Sequence, residues 1–236
     1  MSQAGSSISH RGMEQQHLLP FWYDTVKRVL DIALSVVGLV ALFPLWFLIG
    51  VMIKLASPGP ILYATETVGK DGKPFRLYKF RTMLASGDEN SHQEYLARFV
   101  KADEPYTVVR QKDGSEQKIY KIVNDPRVTR IGRILRSTGL DEFPQLINVL
   151  REEMSLVGPR PPRLAEYENY QEWHKQRLTV MPGITGLYQI TARSMVPFDR
   201  MVEIDLEYIQ RRSLWIDLKI MFLTPIRLII LRKGGY

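Results

Sequence analysis

The sequence predicts an α+β fold, mostly helical, with one short β-hairpin and a kinked apolar helix near the N-terminus. Three observations predict it. The uncharged stretch Ile32 to Ile53 runs for roughly 22 residues, enough to cross a bilayer as helix. Two extended segments flank a turn at Gly69-Lys70-Asp71-Gly72-Lys73. The remainder alternates helical segments with glycine and proline breaks, without an internal repeat.

Length and composition narrow the classes. A chain of 236 residues suits one domain, or one domain with a membrane anchor. The formal net charge of +7 calls for an anionic partner: nucleic acid, an anionic membrane surface or a phosphate-bearing substrate. The absence of cysteine excludes disulfides, thiolate metal sites and a cysteine nucleophile. The histidines, His10, His17, His92 and His174, are scattered and lack metal-ligand spacing.

From the N-terminus, residues 1–20 read as a disordered polar tail without the features of a signal peptide. Residues 21–56 form the apolar helix. Trp22, Tyr23, Lys27 and Arg28 precede it as interfacial anchors. Pro44 sits in its middle and predicts a kink. Basic residues lie on both sides, Lys27 and Arg28 before, Lys54, Lys70 and Lys73 after, which favours both ends on the cytoplasmic face. A re-entrant helix bent at Pro44 satisfies both observations, and a spanning helix with a tolerated proline stays open beside it.

Residues 57–236 form the main domain. Ser57-Pro58-Gly59-Pro60 is a turn, and Ile61 to Ala64 with Pro74 to Phe80 make the hairpin. Residues 85–125 read as a polar surface insertion or mobile loop, with a helix near 93–100 and a turn at Asp113-Gly114. Helices are expected at Phe143–Leu150, Arg163–Leu178 and Val202–Gln210, and a loop at Pro182–Gly186. Leu214 to Leu231 mixes Trp, Ile and Phe with Lys219 and Arg227, as an interfacial amphipathic helix does. Pro225 is expected to break it in two, and a core helix is the alternative.

The constellation with the most chemistry is Arg136-Ser137-Thr138-Gly139-Leu140-Asp141-Glu142-Phe143-Pro144-Gln145. Adjacent helical positions point in different directions, so the two carboxylates can divide roles. One can attack phosphorus and the other can hold magnesium. A plainer reading is helix capping, because Thr138 and Asp141 have the Ser/Thr-x-x-Asp/Glu spacing. The cations Lys121, Arg127, Arg130, Arg133 and Arg136 lie upstream, Lys79 and Arg81 earlier, and Arg160 after. Arginine binds phosphate well because its planar fork spans two oxygens. A nucleic-acid groove fits less well, since few aromatic residues accompany these charges.

Several ordered motifs together resemble the bacterial sugar transferases, the monotopic phosphoglycosyl transferases. They are Lys27-Arg28-Val29-Leu30-Asp31, Ser57-Pro58-Gly59-Pro60, Tyr78-Lys79-Phe80-Arg81-Thr82-Met83, the run Leu140 to Leu150, Met154 to Pro161 and Pro182 to Leu187. The resemblance covers about Lys27 to Lys233, in the short form without an added bundle of N-terminal membrane helices. Thr67, Glu152-Glu153 and Thr191-Ala192-Arg193 depart from the usual pattern.

The resemblance implies a re-entrant helix broken at Pro44 and a catalytic domain on the cytoplasmic face of the bacterial inner membrane. It implies transfer of a sugar 1-phosphate from a UDP-sugar donor to polyprenyl (undecaprenyl) phosphate, with release of UMP, as the first membrane step of glycoconjugate or exopolysaccharide synthesis. Asp141 would be the nucleophile of a phosphosugar-aspartate route, and Glu142, with Asp141, would hold Mg2+. Lys79, Arg160 and Asp217 match further site positions, and Arg193 and Asp205 match recurrent ones. With Arg81 and Arg136 these are the expected substrate- and phosphate-binding residues. No nucleic-acid partner is expected. A homodimer through the membrane or C-terminal helices is an expectation without a motif behind it. A non-catalytic membrane-anchored binding protein on the same fold is the alternative function. The sequence does not choose the sugar.

Overall fold

Helices α1 (Trp22–Ala41) and α2 (Phe43–Ala56) meet at Leu42 with a bend of 62°. Pro44 is the second residue of α2, a position where its missing N–H costs little. The Leu42 N–H still donates to the Gly38 carbonyl and the Trp46 N–H to the Leu42 carbonyl, so the chain turns without unravelling. No single helix among the described residues is long and apolar enough to cross a membrane, but this bent pair is so by length and composition. These features come from a computed structural model that describes residues 20, 22–84, 97–101, 106–110, 116–120, 125–192 and 195–231. The expected tail therefore lies outside the described residues except for Pro20, as does the Asp113-Gly114 turn.

The polarity of α1 is inverted. Its buried residues are Tyr23, Asp31 and Ser35, whereas Val29, Val37 and Val40 face outward. On α2, Phe43, Phe47 and Leu55 are likewise exposed, the last at 82%. Trp215 and Phe222 extend the apolar surface on the C-terminal helix. Clustered exposed apolar side chains of this kind mark a surface for a membrane, a partner protein or a ligand.

Strands β1 (Leu62–Val68) and β2 (Pro74–Phe80) form the expected hairpin, with Tyr63 opposite Lys79 and Val68 opposite Pro74. The insertion holds a second antiparallel hairpin, β3 (Thr107–Arg110) and β4 (Glu116–Ile119), instead of irregular chain. Residues 97–100 are helical, and Phe99 packs edge-on against Phe198.

Helix α3 (Arg130–Thr138) opens on Thr129, whose hydroxyl accepts from the Gly132 N–H at 3.0 Å. A Cβ at Gly132 would lie 2.0 Å from the Thr82 carbonyl oxygen, so glycine lets α3 press onto the end of the hairpin. α3 ends at Gly139, whose φ of 72° is left-handed, and a single 3-10 turn over Leu140–Glu142 leads to α4 (Gln145–Leu150).

The expected helix Arg163–Leu178 is broken into α5 (Leu164–Tyr167), α6 (Glu172–Lys175) and a 3-10 turn at Gln176–Leu178. The Asn169 side-chain amide donates to the Ala165 carbonyl and ends α5. His174 Nδ1 accepts from the Gln171 N–H and starts α6. The expected loop at Pro182–Gly186 contains β6 (Gly183–Thr185), which pairs in parallel with β5 (Ser155–Val157).

α7 (Leu187–Thr191) and α8 (Phe198–Arg211) come next, and the C-terminal helix α9 (Leu214–Leu231) runs straight through Pro225. It is not split as expected. Thr224 Oγ1 donates to the Ile220 carbonyl beside the missing backbone bond.

Two apolar clusters hold the acidic turn and its neighbours in place. Ile49, Ile53, Phe80 and Leu135 form one, into which Leu140 and Phe143 pack on either side of the acidic pair. Leu77, Val149 and Met154 form another under β2 and α4.

Candidate active site

Asp141 and Glu142 lie in the 3-10 turn between α3 and α4, fixed by the left-handed Gly139 before them and the packed Phe143 after. Thr138 does not cap this turn. Its hydroxyl bends back to the Ile134 and Leu135 carbonyls at 2.8 and 3.1 Å, so the capping pattern in the sequence is not the reason for the acidic pair.

Asp141 is buried and Glu142 is half-exposed. Lys79, from β2, donates to Glu142 Oε1 at 2.8 Å. Burial and the neighbouring Glu142 charge raise the Asp141 carboxyl above the usual aspartate range, while Lys79 and Arg136 pull it back. Arg136 reaches the same place from α3, its Nε donating to Thr82 Oγ1 at 2.9 Å. Asp141, Glu142, Lys79 and Arg136 are thus brought together from β2, α3 and the turn.

A second group of charges is built around Arg160. Arg160 donates to Glu166 Oε1 at 3.4 Å, and the other Glu166 oxygen accepts the Arg163 backbone N–H at 3.2 Å. Glu166 is buried and raises the Arg160 pKa above its ordinary value. Behind Arg160, the fully buried Arg177 donates to the Arg160 carbonyl at 2.9 Å, to the Tyr170 hydroxyl at 3.0 Å and to Asp205. Burial pushes Tyr170 and Tyr188 up to about 12, so both hydroxyls stay protonated in this group.

Three expected binding residues have other employment. Arg81 is buried under the end of α2, donating to the Ser57 and Pro58 carbonyls at 2.7 and 2.8 Å and to Ser57 Oγ at 3.0 Å. It satisfies carbonyls of the turn that follows α2. Asp205 is 1% exposed and paired with Arg177. Burial still pushes it up to about 6. Asp217 accepts from the Tyr23 and Tyr208 hydroxyls at 3.0 and 2.7 Å and from Lys27 at 3.0 Å, tying α1 to α8 and α9. In this arrangement the Asp205 carboxylate is paired with Arg177 and the Asp217 carboxylate joins three elements. Arg193 lies outside the described residues.

Glu166, Arg177 and Arg163 were missed by sequence reasoning. The one available signal was spacing, since Arg163 and Glu166 succeed Arg160 at intervals of three.

The profile of the family described as "Bacterial sugar transferase" matches residues 22–230. The chain belongs to the bacterial sugar transferase family. Among the relatives of this sugar transferase is the exopolysaccharide production protein ExoY of Sinorhizobium fredii, 39% identical over 89% of the chain and 88% of ExoY. The galactosyl transferase CpsE of Streptococcus agalactiae serotype III is 38% identical over 89% of the chain. The UDP-glucose:undecaprenyl-phosphate glucose-1-phosphate transferase of Escherichia coli K12 is 37% identical over 92% of it. The chain spans 43% and 45% of the length of the last two. The matched region contains α1 to α9 nearly whole, and with it the acidic pair and both arginine groups.

Proposed function

We propose that this sugar transferase moves a sugar 1-phosphate from a UDP-sugar to polyprenyl phosphate, with Asp141 as the nucleophile. The observation that carries this reading is a buried carboxylate held beside a half-exposed one, with Lys79 and Arg136 within electrostatic reach. Relatives named as undecaprenyl-phosphate sugar phosphotransferases support the substrate class.

An Asp141 oxygen attacks the β-phosphorus of the donor. The bond from that phosphorus to the α–β bridging oxygen breaks, and UMP leaves with the electron pair. A polyprenyl phosphate oxygen then attacks the same phosphorus. The aspartyl–phosphorus bond breaks and restores the carboxylate, leaving sugar-diphosphate-polyprenol. Two steps through one pocket let a soluble donor and a lipid acceptor react in turn. Lys79 and Arg136 favour the ionised nucleophile and stabilise charge on the phosphoryl oxygens.

Magnesium fits the half-exposed Glu142, with Asp141 alongside. Among the described residues no three acidic or histidine side chains cluster, so donor phosphates and water would complete its shell. It would supply Lewis-acid polarisation of the pyrophosphate.

The inverted polarity of α1 and the exposed apolar faces of α2 and α9 support a protein sunk in one leaflet, with the α1–α2 pair re-entrant. That placement brings the acidic pair, next to the α2 cluster, to the level of lipid headgroups.

The test is UMP release from a panel of UDP-sugars by detergent-solubilised protein with magnesium and undecaprenyl phosphate. Lipid-dependent UMP from one donor supports the reading. Folded protein that releases UMP from none overturns it.

A further inference from the structure

The two faces of the β1–β2 hairpin lead to different places. Side chains two apart on a strand share a face. Leu62 lies opposite Phe80, Tyr63 opposite Lys79, Thr65 opposite Leu77 and Thr67 opposite Phe75. Phe80 packs with Ile49, Ile53 and Leu135, and with Leu62 it lines an apolar groove beside α2. Leu77 packs with Val149 and Met154, with Phe75 against them, so the other face lies over α4. Lys79 continues that second face, and its Nζ meets Glu142 Oε1 at 2.8 Å.

Tyr63 is the residue that this register places beside the acidic pair. Directly opposed side chains of an antiparallel pair stand about 4.5–5.5 Å apart at Cβ, so the Tyr63 ring flanks the stem of Lys79. The face opens toward this end. Thr67 is 1% exposed, Thr65 is half-buried and Tyr63 is 45% exposed. Tyr63 belongs to neither apolar cluster of the hairpin, so core packing does not account for its ring.

We propose that Tyr63 holds the sugar ring of the nucleotide-sugar donor. The order of groups in the donor selects the sugar over the base. The sugar is joined through one oxygen to the β-phosphorus that Asp141 attacks, whereas uracil lies beyond the α-phosphate and the ribose. A side chain beside the lysine that holds Glu142 therefore meets the sugar first. One face of a pyranose presents C–H bonds of slight positive charge, which rest on the negative face of an aromatic ring, and its hydroxyls exchange hydrogen bonds with a phenol. The lipid chain suits Tyr63 less well, because strand alternation turns Leu62 to the apolar groove and Tyr63 away from it. This assignment rests on the proposed transferase function.

The test compares Tyr63→Leu and Tyr63→Phe with wild type, all full-length and solubilised. The readings are kcat/KM for the UDP-sugar that wild type uses best, KM for undecaprenyl phosphate, and affinity for UDP by calorimetric titration in magnesium. Tyr63→Leu should lower the donor kcat/KM about tenfold, with UDP affinity and lipid KM within about twofold of wild type. Tyr63→Phe keeps the ring and should recover most of that loss. Unchanged donor kcat/KM in Tyr63→Leu overturns the proposal. An equal fall in UDP affinity also overturns it and places the ring at the base, and a rise in the lipid KM alone overturns it in favour of the acceptor. Loss of all three together shows a structural role and overturns it as well. Wild-type protein that transfers from no UDP-sugar overturns the proposed transferase function instead.

Discussion

Lys79 Nζ lies 2.8 Å from Glu142 Oε1, so the cation nearest the acidic pair is bound to its outer member while the inner member, Asp141, stays buried. The two adjacent carboxylates are thereby made unequal. Glu142 is charge-compensated and half-open to solvent. Asp141 is desolvated and raised.

This inequality makes activity depend on pH. Asp141 must be ionised to attack, and its carboxyl titrates above the usual range of about 4. Activity should fall on acidification at a pH above that range. Lys79→Met removes a charge that favours the carboxylate, so the acid limb should move to higher pH. A limb that stays in place or moves down in Lys79→Met, read from kcat/KM profiles, contradicts the assignment.

Asp141 also carries a cost to the fold, since burial and Glu142 both oppose its charge. Asp141→Asn should abolish turnover yet raise the thermal midpoint by a few degrees, the sign expected when a strained functional group is neutralised. A lowered midpoint in a scanning melt indicates that the carboxylate supports the structure.

Lys27 joins Asp31 and Asp217 under α1, at 3.9 and 3.0 Å. Lys27→Met leaves two buried carboxylates without their cation and should destabilise by about 3–5 kcal/mol. Lys27→Met/Asp217→Asn should regain part of that loss. Chemical denaturation of the double variant no better than the single one rules out this pairing as the tie.

Because the chain has no native cysteine, single cysteines report topology cleanly. Asp24 and Pro58 are both exposed at the outer ends of the bent pair. Asp24→Cys and Pro58→Cys should both label with an impermeant thiol reagent from the same side of sealed vesicles. Labelling from opposite sides shows a spanning helix.

His174 is buried between Tyr170, Trp173 and Phe198, and burial lowers its pKa although Asp199 works the other way. The unfolded chain takes up a proton below about pH 6.5 while the fold resists it, so stability is lost as pH falls below that value. The denaturation midpoint should drop between about pH 7.5 and 5.5, and His174→Gln should reduce the drop. An equal drop in both proteins shows that other groups are responsible.

The parts of the fold that were legible in the sequence are those set by local chemistry. Pro44 announces the bend, Gly69 to Lys73 the hairpin turn, and Asp141-Glu142 the acidic pair. Sequence fails where a residue's partner is remote. Tyr23 and Asp217 are 194 positions apart, and nothing near either predicts their bond. Nothing local to Arg81 tells that its guanidinium reaches the Ser57 and Pro58 carbonyls. β5 and β6 are three residues each, too short for a periodic signal. The helix expected over Arg163–Leu178 breaks because Asn169 and His174 bond the backbone themselves.

The most direct measurement is intact-protein mass spectrometry after incubation with UDP-sugar and magnesium, without lipid, on wild type and Asp141→Asn. The account predicts a phosphosugar mass increment on wild type, mapped to the Asp141 peptide, discharged by undecaprenyl phosphate and missing from Asp141→Asn. Wild-type protein that turns over when lipid is added but never carries the increment, or an increment that survives in Asp141→Asn, contradicts it.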